Sequence, residues 1–246
     1  MRILMINPNT TEAMTESMAK VATAAVPAGV EIVPLTATRG FPYIASRAEA
    51  QIAGGIVLEM IAAHGTGMDA VVVAAFGDPG LVAARDLFDV PVVGMAEAAL
   101  LTAAMLGERI AVVTFSPHMV RWYEDCVRLA GLERRFTGVF CPEVAPANVN
   151  GVAQALRGDL IALAGRATVA GADVVILGGA PLAGLAPAIA DETPGILVDP
   201  IAAASLQAVA LARLAPHYGM RTARPAAKPS TGLGPALQGV IAGTTP

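Results

Sequence analysis

The stretch GMDAVVVAAFGDPGL (residues 67–81) returns without a gap as GADVVILGGAPLAGL (residues 171–185). Gly67 falls on Gly171, Asp69 on Asp173, Gly80 on Gly184 and Leu81 on Leu185. The same shift carries PVVGMAEAALL (from Pro91) onto GILVDPIAAAS (from Gly195). Each copy reads as an apolar strand, a polar or Gly-rich turn, a helix, a second strand and an Ala-rich helix. A fainter echo joins RILMINPNT (2–10) to RIAVVTFSPH (109–118), two strands that end in small polar residues. Matched runs at one offset mark a duplicated supersecondary unit. Two related lobes about an approximate two-fold axis are therefore expected, chance similarity between Ala/Val-rich strands being the competing reading.

Outward from the repeat, apolar runs alternate with helix-like segments. Strands are expected at 2–6, 31–35, 70–74, 91–93, 109–113, 136–140, 173–177 and 196–198. They are short, rich in Val and Ile and mostly free of charge, as strands covered on both faces must be. Helices are expected near 10–25, 46–63, 81–87, 97–106, 119–130, 152–170, 185–191 and 202–214, with Asn9 and Glu12 as N-cap and N3 partners of the first. Such alternation predicts an α/β fold of two pseudo-symmetric lobes, each a parallel sheet flanked by helices, with a cleft between them. The first lobe is assigned residues 1–97 plus about 199–225, and the second 98–198. Residues 226–246, poor in pattern, are expected to be a loose tail.

In open parallel sheets, ligands sit beyond the carboxyl ends of the strands. Two facing lobes bring the segments 7–10, 75–79, 114–118 and 179–182 to one cleft, with Ala75 and Gly179, equivalent points of the two copies, opposite each other. Asn9, Thr10, Thr114 and Ser116, with Asn7 beside them, offer uncharged hydrogen-bonding groups to a ligand rich in amides or carboxylates. Helix capping is the competing role for Asn9 and Thr10. Ala75, Phe76, Gly77, Phe115, Gly179, Ala180 and Pro181 complete the substrate-binding candidates, several in turns that present backbone N–H groups. The catalytic candidates are Asp78, a carboxylate at the cleft mouth, and His118, whose imidazole is of the type that serves as a general acid or base. Their ordinary alternatives are a cap for the helix from about Leu81 and a surface histidine. Tyr43 and Arg47 either close over the cleft, clamping a carboxylate, or lie on the surface. His64 and His217 join no constellation, and no His/Cys/Asp spacing marks a metal site.

Composition narrows the function. The chain of 246 residues is 55% hydrophobic with a mean hydropathy of +0.61, yet its longest uncharged runs, 174–190 and 229–246, are broken by Gly and Pro and read as no membrane span. A net charge of −4 and a pI near 5.4 leave no electrostatic footprint for nucleic acid, so a small-molecule partner is expected. MRILMINPNTT turns polar too early for a signal peptide. Cys126 and Cys141 read as small hydrophobes in a reducing cytoplasm rather than a disulfide. So apolar a chain is expected to hide a helix face in a homo-oligomer. No GxGxxG, P-loop or GxSxG motif occurs.

The runs INPNTT (6–11), AAFGDPGL (74–81), AVVT (111–114) and ILGGAPLAGL (176–185) resemble the aspartate/glutamate racemase superfamily, and most of all its hydantoin and allantoin racemases, over roughly residues 1–210. The resemblance implies two pseudo-symmetric lobes, no metal or organic cofactor, and one cysteine per lobe. One thiolate takes a proton from the carbon beside a carbonyl while the other thiol returns one to the opposite face, and backbone N–H groups hold the enolate-like charge. In this chain the two cysteine positions fall on Ala75 and Gly179, and neither Cys126 nor Cys141 fits them. Two-thiol racemisation is excluded, because neither side chain can carry a proton.

Three functions follow from the resemblance with that departure. One is an enzyme acting on a small ureide or amino- or carboxylic-acid-like compound by cofactor-independent isomerisation or decarboxylation. Another is a ligand-binding or regulatory protein with the same cleft. The last is a hydrolase or lyase on this scaffold. The missing thiols are either natural to this branch or engineered.

Overall fold

The computed structural model describes residues 1–149, 151–214, 218 and 225–244; His217 lies outside them. Two four-stranded sheets form, wholly parallel and with the same topology. The first runs β2–β1–β3–β4 and the second β6–β5–β7–β8. In the first, β1 is Arg2–Asn7, β2 Glu31–Thr36, β3 Ala70–Val73 and β4 Val92–Gly94. In the second, β5 is Ile110–Val113, β6 Phe136–Phe140, β7 Val174–Leu177 and β8 Ile196–Val198. The repeated runs supply β3–β4 and β7–β8, so the echo in sequence is an echo in space.

The strands behave as their composition requires. All four residues of β3 and of β7 are fully buried, each Val, Ile and Leu side chain gaining roughly 1.5–3 kcal/mol by leaving water. The edge strands β2 and β6 are partly exposed and carry the irregular residues. Pro34, which lacks an N–H, sits in β2. Gly138, at φ +142°, sits where the β5–β6 register shifts.

Ten helices complete the described residues: α1 Glu12–Ala25, α2 Arg47–His64, α3 Leu81–Leu87, α4 Met95–Leu106, α5 Val120–Leu129, α6 Val152–Ala155, α7 Arg157–Val169, α8 Leu185–Ile189, α9 Pro200–Leu214 and α10 Pro235–Ala242. Three cores hold them. One backs the first sheet from outside through α2 and α3 (Leu4, Val57, Ile61, Val71, Leu81). Another backs the second sheet through α7 (Val113, Leu160, Leu163, Val175). The largest joins the inner faces of both sheets through α4, α5 and α9. After β8 the chain recrosses, and α9 packs against α1, β3, β4 and α4.

Two expectations are corrected. Residues 226–246 are not simply loose: Pro235–Ala242 form α10, which lies on α2 and buries Leu237. Its register of Leu237, Val240 and Ile241 gives it one apolar edge, with Pro235 opening the helix and Gly243 in left-handed conformation closing it. Asn9, moreover, is not the N-cap of α1. Thr11 holds that position without a side-chain cap, and Asn9 Oδ1 instead accepts from Thr11 N at 2.9 Å in a tight local turn.

Candidate functional site

Four parallel strands end at the junction of the lobes, and their following turns meet there. Asn9 after β1, Ala75 and Phe76 after β3, and Gly179 and Ala180 after β7 line one cavity. Tyr43, Ile44, Trp122 and Tyr123 close it. The cavity is only about 20 Å3 in volume, so its walls are nearly in contact. Ala75 and Gly179 thus belong to opposite lobes and to one cavity. No charged side chain lines it.

Its polar groups are neutral donors. Asn7 is fully buried and spends its amide on Asn9 Oδ1 (3.0 Å), Thr11 O (3.3 Å) and Thr15 Oγ1 (2.9 Å). That network orients Asn9, whose own Nδ2 has only the Met14 thioether, 3.6 Å away. Sulfur is a weak acceptor, so this amide is free to donate to a ligand. The Tyr43 hydroxyl likewise meets only Met119 Sδ, at 3.8 Å. The backbone N–H groups of Ala75, Phe76, Gly179 and Ala180 donate to no group among the described residues. Burial pushes the Tyr43 and Tyr123 hydroxyls well above the usual phenol range, so both are protonated donors and neither is a base at neutral pH.

The loop over the cavity is held from both ends. Thr10 N donates to Phe41 O at 2.9 Å, and Thr11 Oγ1 to Pro42 O at 2.7 Å. At the far end, Ser46 caps α2, with Glu49 N donating to Ser46 Oγ at 3.2 Å, and the Glu49 carboxylate accepts from Ala45 N at 2.5 Å. Arg47 then reaches across to the other lobe. Its Nε donates to Asp125 Oδ2 at 2.5 Å and its Nη2 to Arg121 O at 3.0 Å. Tyr43 and Ile44 are therefore fixed between two anchors.

Aromatic residues fill the space around the turns. Phe76 meets Tyr123 edge-on with centroids 4.6 Å apart, and Phe115 meets Tyr43 at 5.9 Å. Gly77, at φ +124°, lies under Trp122: a Cβ there would fall 2.1 Å from the indole ring. Gly179, at φ +129°, is backed by Phe115, whose Cε1 would lie 2.8 Å from an added Cβ. The fully buried Thr114 stands behind them, its Oγ1 without a partner of good hydrogen-bond geometry and the Tyr123 hydroxyl as its polar neighbour.

Other predicted residues lie elsewhere. Both oxygens of Asp78 accept at 2.8 Å from the Ala96 and Glu97 N–H groups that open α4. Asp78 is a helix cap on α4, not on α3, and is absent from the cavity lining. Its burial raises its pKa to about 7 against the pull of those two N–H groups. The second lobe makes the matching clasp from the other side: Asp199 accepts from Ile201 and Ala202, which begin α9, and from Gly184 N. His118 is exposed, in a short 3₁₀ turn capped by Ser116 Oγ, which accepts from His118 N at 3.3 Å. Thr10 and Pro181 do not line the cavity. Cys126 is buried in α5 and donates to Trp122 O at 3.3 Å, and burial pushes both it and Cys141 up in pKa; neither lines the cavity. Among the described residues, no group of three or more His, Cys, Asp and Glu is placed to hold a metal ion, and no helix is long and apolar enough to cross a membrane.

Strand-end logic missed Ile44, Trp122 and Tyr123, since α5 and the lid loop come to the cleft from the side. One signal was available. The chain has only six Phe, three Tyr and one Trp, and Tyr43, Phe76, Phe115, Trp122 and Tyr123 all gather here.

Fold and cavity together define a two-lobed α/β protein with a narrow cleft where its duplicated halves meet. Residues 3–208 match the family model of Asp/Glu/Hydantoin racemase, and the chain belongs to that family. It is 33% identical over 217 residues to a hydantoin racemase of Paenarthrobacter aurescens, covering 87% of this chain and 92% of the relative. Among solved structures it resembles the allantoin racemase from Klebsiella pneumoniae, with a TM-score of 0.85, 31% identity and coverage of 97% and 98% of the two chains. The allantoin racemase of Pseudomonas fluorescens follows at 0.79 and 33%, covering 94% of this chain and all of that one.

Proposed function

We propose that this chain is an enzyme that holds a small cyclic ureide, amino acid or carboxylic acid in the inter-lobe cleft and acts, without a cofactor, on the carbon beside a carbonyl. The observation that carries the reading is the sharing of one cavity by Ala75 and Gly179 with the neutral donors Asn9 Nδ2, Tyr43 Oη and the free N–H groups of both turns. Such donors stabilise charge that develops on a carbonyl oxygen. Kinship with hydantoin and allantoin racemases supports the substrate class. Positions 75 and 179, where the resemblance puts the thiols, rule out two-thiol exchange. A second reading, binding without turnover, is favoured by the lack of any charged side chain in the lining. The apolar surface groove formed by Leu101, Met105 and Leu211 on α4 and α9 supports self-association, which sedimentation checks. We place the protein in the cytoplasm.

The test combines polarimetry on the enantiomers of allantoin and 5-substituted hydantoins, carbon dioxide release from malonate-type acids, and thermal shift with each compound. Turnover supports the enzyme; a shift without turnover leaves the binding protein. Restoring thiols is a separate probe. Gly179→Cys alone is expected to destabilise by about 1–3 kcal/mol, given its positive φ and the Phe115 ring. Ala75→Cys with Gly179→Cys and Phe115→Ala is the combination expected to accommodate both thiols.

A further inference from the structure

The two walls of the cleft are not chemically alike. On the Ala75 side there is a methyl group and no side chain able to give or take a proton. On the Gly179 side, an added Cβ would lie 3.6 Å from the Tyr123 hydroxyl, so that hydroxyl occupies the space a side chain at 179 would reach. Tyr123 is 2% exposed and lines the cavity. Thr114 Oγ1, fully buried and without a partner of good geometry, stands beside it. A buried hydroxyl needs a polar partner, and the Tyr123 phenol is the one beside it, which Thr114 can orient. Tyr43, by contrast, is carried by the lid loop and directs its hydroxyl at Met119.

We infer that Tyr123 is the proton donor of this cleft, delivering to one face of a carbanion left when a small acid, carboxylated on the carbon beside a carbonyl, loses carbon dioxide. The inference rests on the reading of the cleft as an enzyme site. A phenol that burial keeps protonated cannot pull a proton from carbon, and no other side chain in the lining is a base. The carbanion must then form by loss of another group. When the C–CO2 bond breaks, its electron pair stays on carbon and spreads into the neighbouring carbonyl, whose oxygen the Asn9 amide and the free N–H groups can hold. The Tyr123 O–H bond then breaks as the new C–H bond forms, and the phenolate, beside Thr114, regains its proton from water. Apolar Ala75, Phe76 and Trp122 favour release of uncharged carbon dioxide over retention of a carboxylate. Since the donor is on one wall, one enantiomer results.

The test uses the full chain in D2O with prochiral malonates carrying methyl and ethyl, or methyl and phenyl, beside the allantoin and hydantoin panel. Expected are carbon dioxide release, one solvent deuterium in the product and a single enantiomer. Tyr123→Phe should lower kcat by about 100-fold or more, with KM little changed. Thr114→Val should lower kcat about 10-fold, and Thr114→Ser should restore it, a rescue that a packing role for Thr114 would not predict. If the wild type releases carbon dioxide but gives racemic product, or Tyr123→Phe keeps the wild-type rate, Tyr123 is not the donor and the enzyme reading stands. Racemisation of hydantoins or allantoin without decarboxylation of malonates overturns the inference in the same way. No turnover on either panel removes both.

Discussion

Asp78 shows how a residue that looks catalytic in sequence can be structural in space. It sits at φ +51°, a conformation that costs a non-glycine residue about 1 kcal/mol or more. Two N–H groups of α4 and the Arg85–Glu97 pair beside it hold it there. Burial lifts its pKa from 3.8 to about 7. A carboxyl raised on folding contributes fully below about pH 4, and that contribution drains away as pH climbs toward 7. In Asp78→Asn the draining should vanish. Urea midpoints at pH 4, 5.5 and 7 are expected to fall for the wild type relative to the variant, and parallel trends would show that Asp78 does not titrate in this range. Asn9 and Asp78 were both readable as strand-end polar residues. What the sequence withheld was direction: Asn9 turns into the cavity because Asn7 holds it, and Asp78 turns away because α4 begins within its reach.

Among the elements, the strands were the most legible, because a parallel strand covered on both faces must be an unbroken run of Val, Ile, Leu and Ala. AVVV in β3 and VVIL in β7 admit little else. Helix α10 was the least legible, and PALQGVIA explains why. The segment is short, flanked by glycines, and followed by GTTP, so composition outweighed its period. Its Leu237 is 4% exposed and packs in one cluster with Val57 and Ile61, and Gly234 N reaches Glu59 Oε1 at 3.4 Å. Leu237→Ala should cost about 2 kcal/mol, the low end for a buried leucine, since the helix lies at the margin of the lobe. Denaturant unfolding measures it, and a loss below a few tenths of a kcal/mol would mean that α10 does not stay docked. Helix α5 carries the opposite lesson. A helix near 119–130 is expected from the sequence, but no periodicity says that Trp122 and Tyr123 face a cleft rather than a core.

At the level of the whole molecule, the cavity is too tight to admit a ligand without movement, and the parts that must yield are the loop at 37–46 and the contact it makes with α5. The Arg47–Asp125 pair spans the two lobes at that point. Both partners are partly exposed, so Arg47→Ala should change stability by less than about 1 kcal/mol. Ligand association should nevertheless become several-fold faster. Trp122, the chain's only tryptophan, lines the cavity, so stopped-flow fluorescence with a compound from the panel gives the rate. An unchanged rate would show that entry does not pass the clasp.

The return of the chain through α9 has a consequence for how the molecule is made. Strands β1 to β4 leave the ribosome early, but α9, the helix that lies on the inner face of β3 and β4, is encoded after β8. Until Pro200–Leu214 has been synthesised, the part of that face over β3 lacks its cover, while α1 and α4 already lie beside it, and a nascent chain in this state depends on shielding from elsewhere. The half that is begun first is completed last.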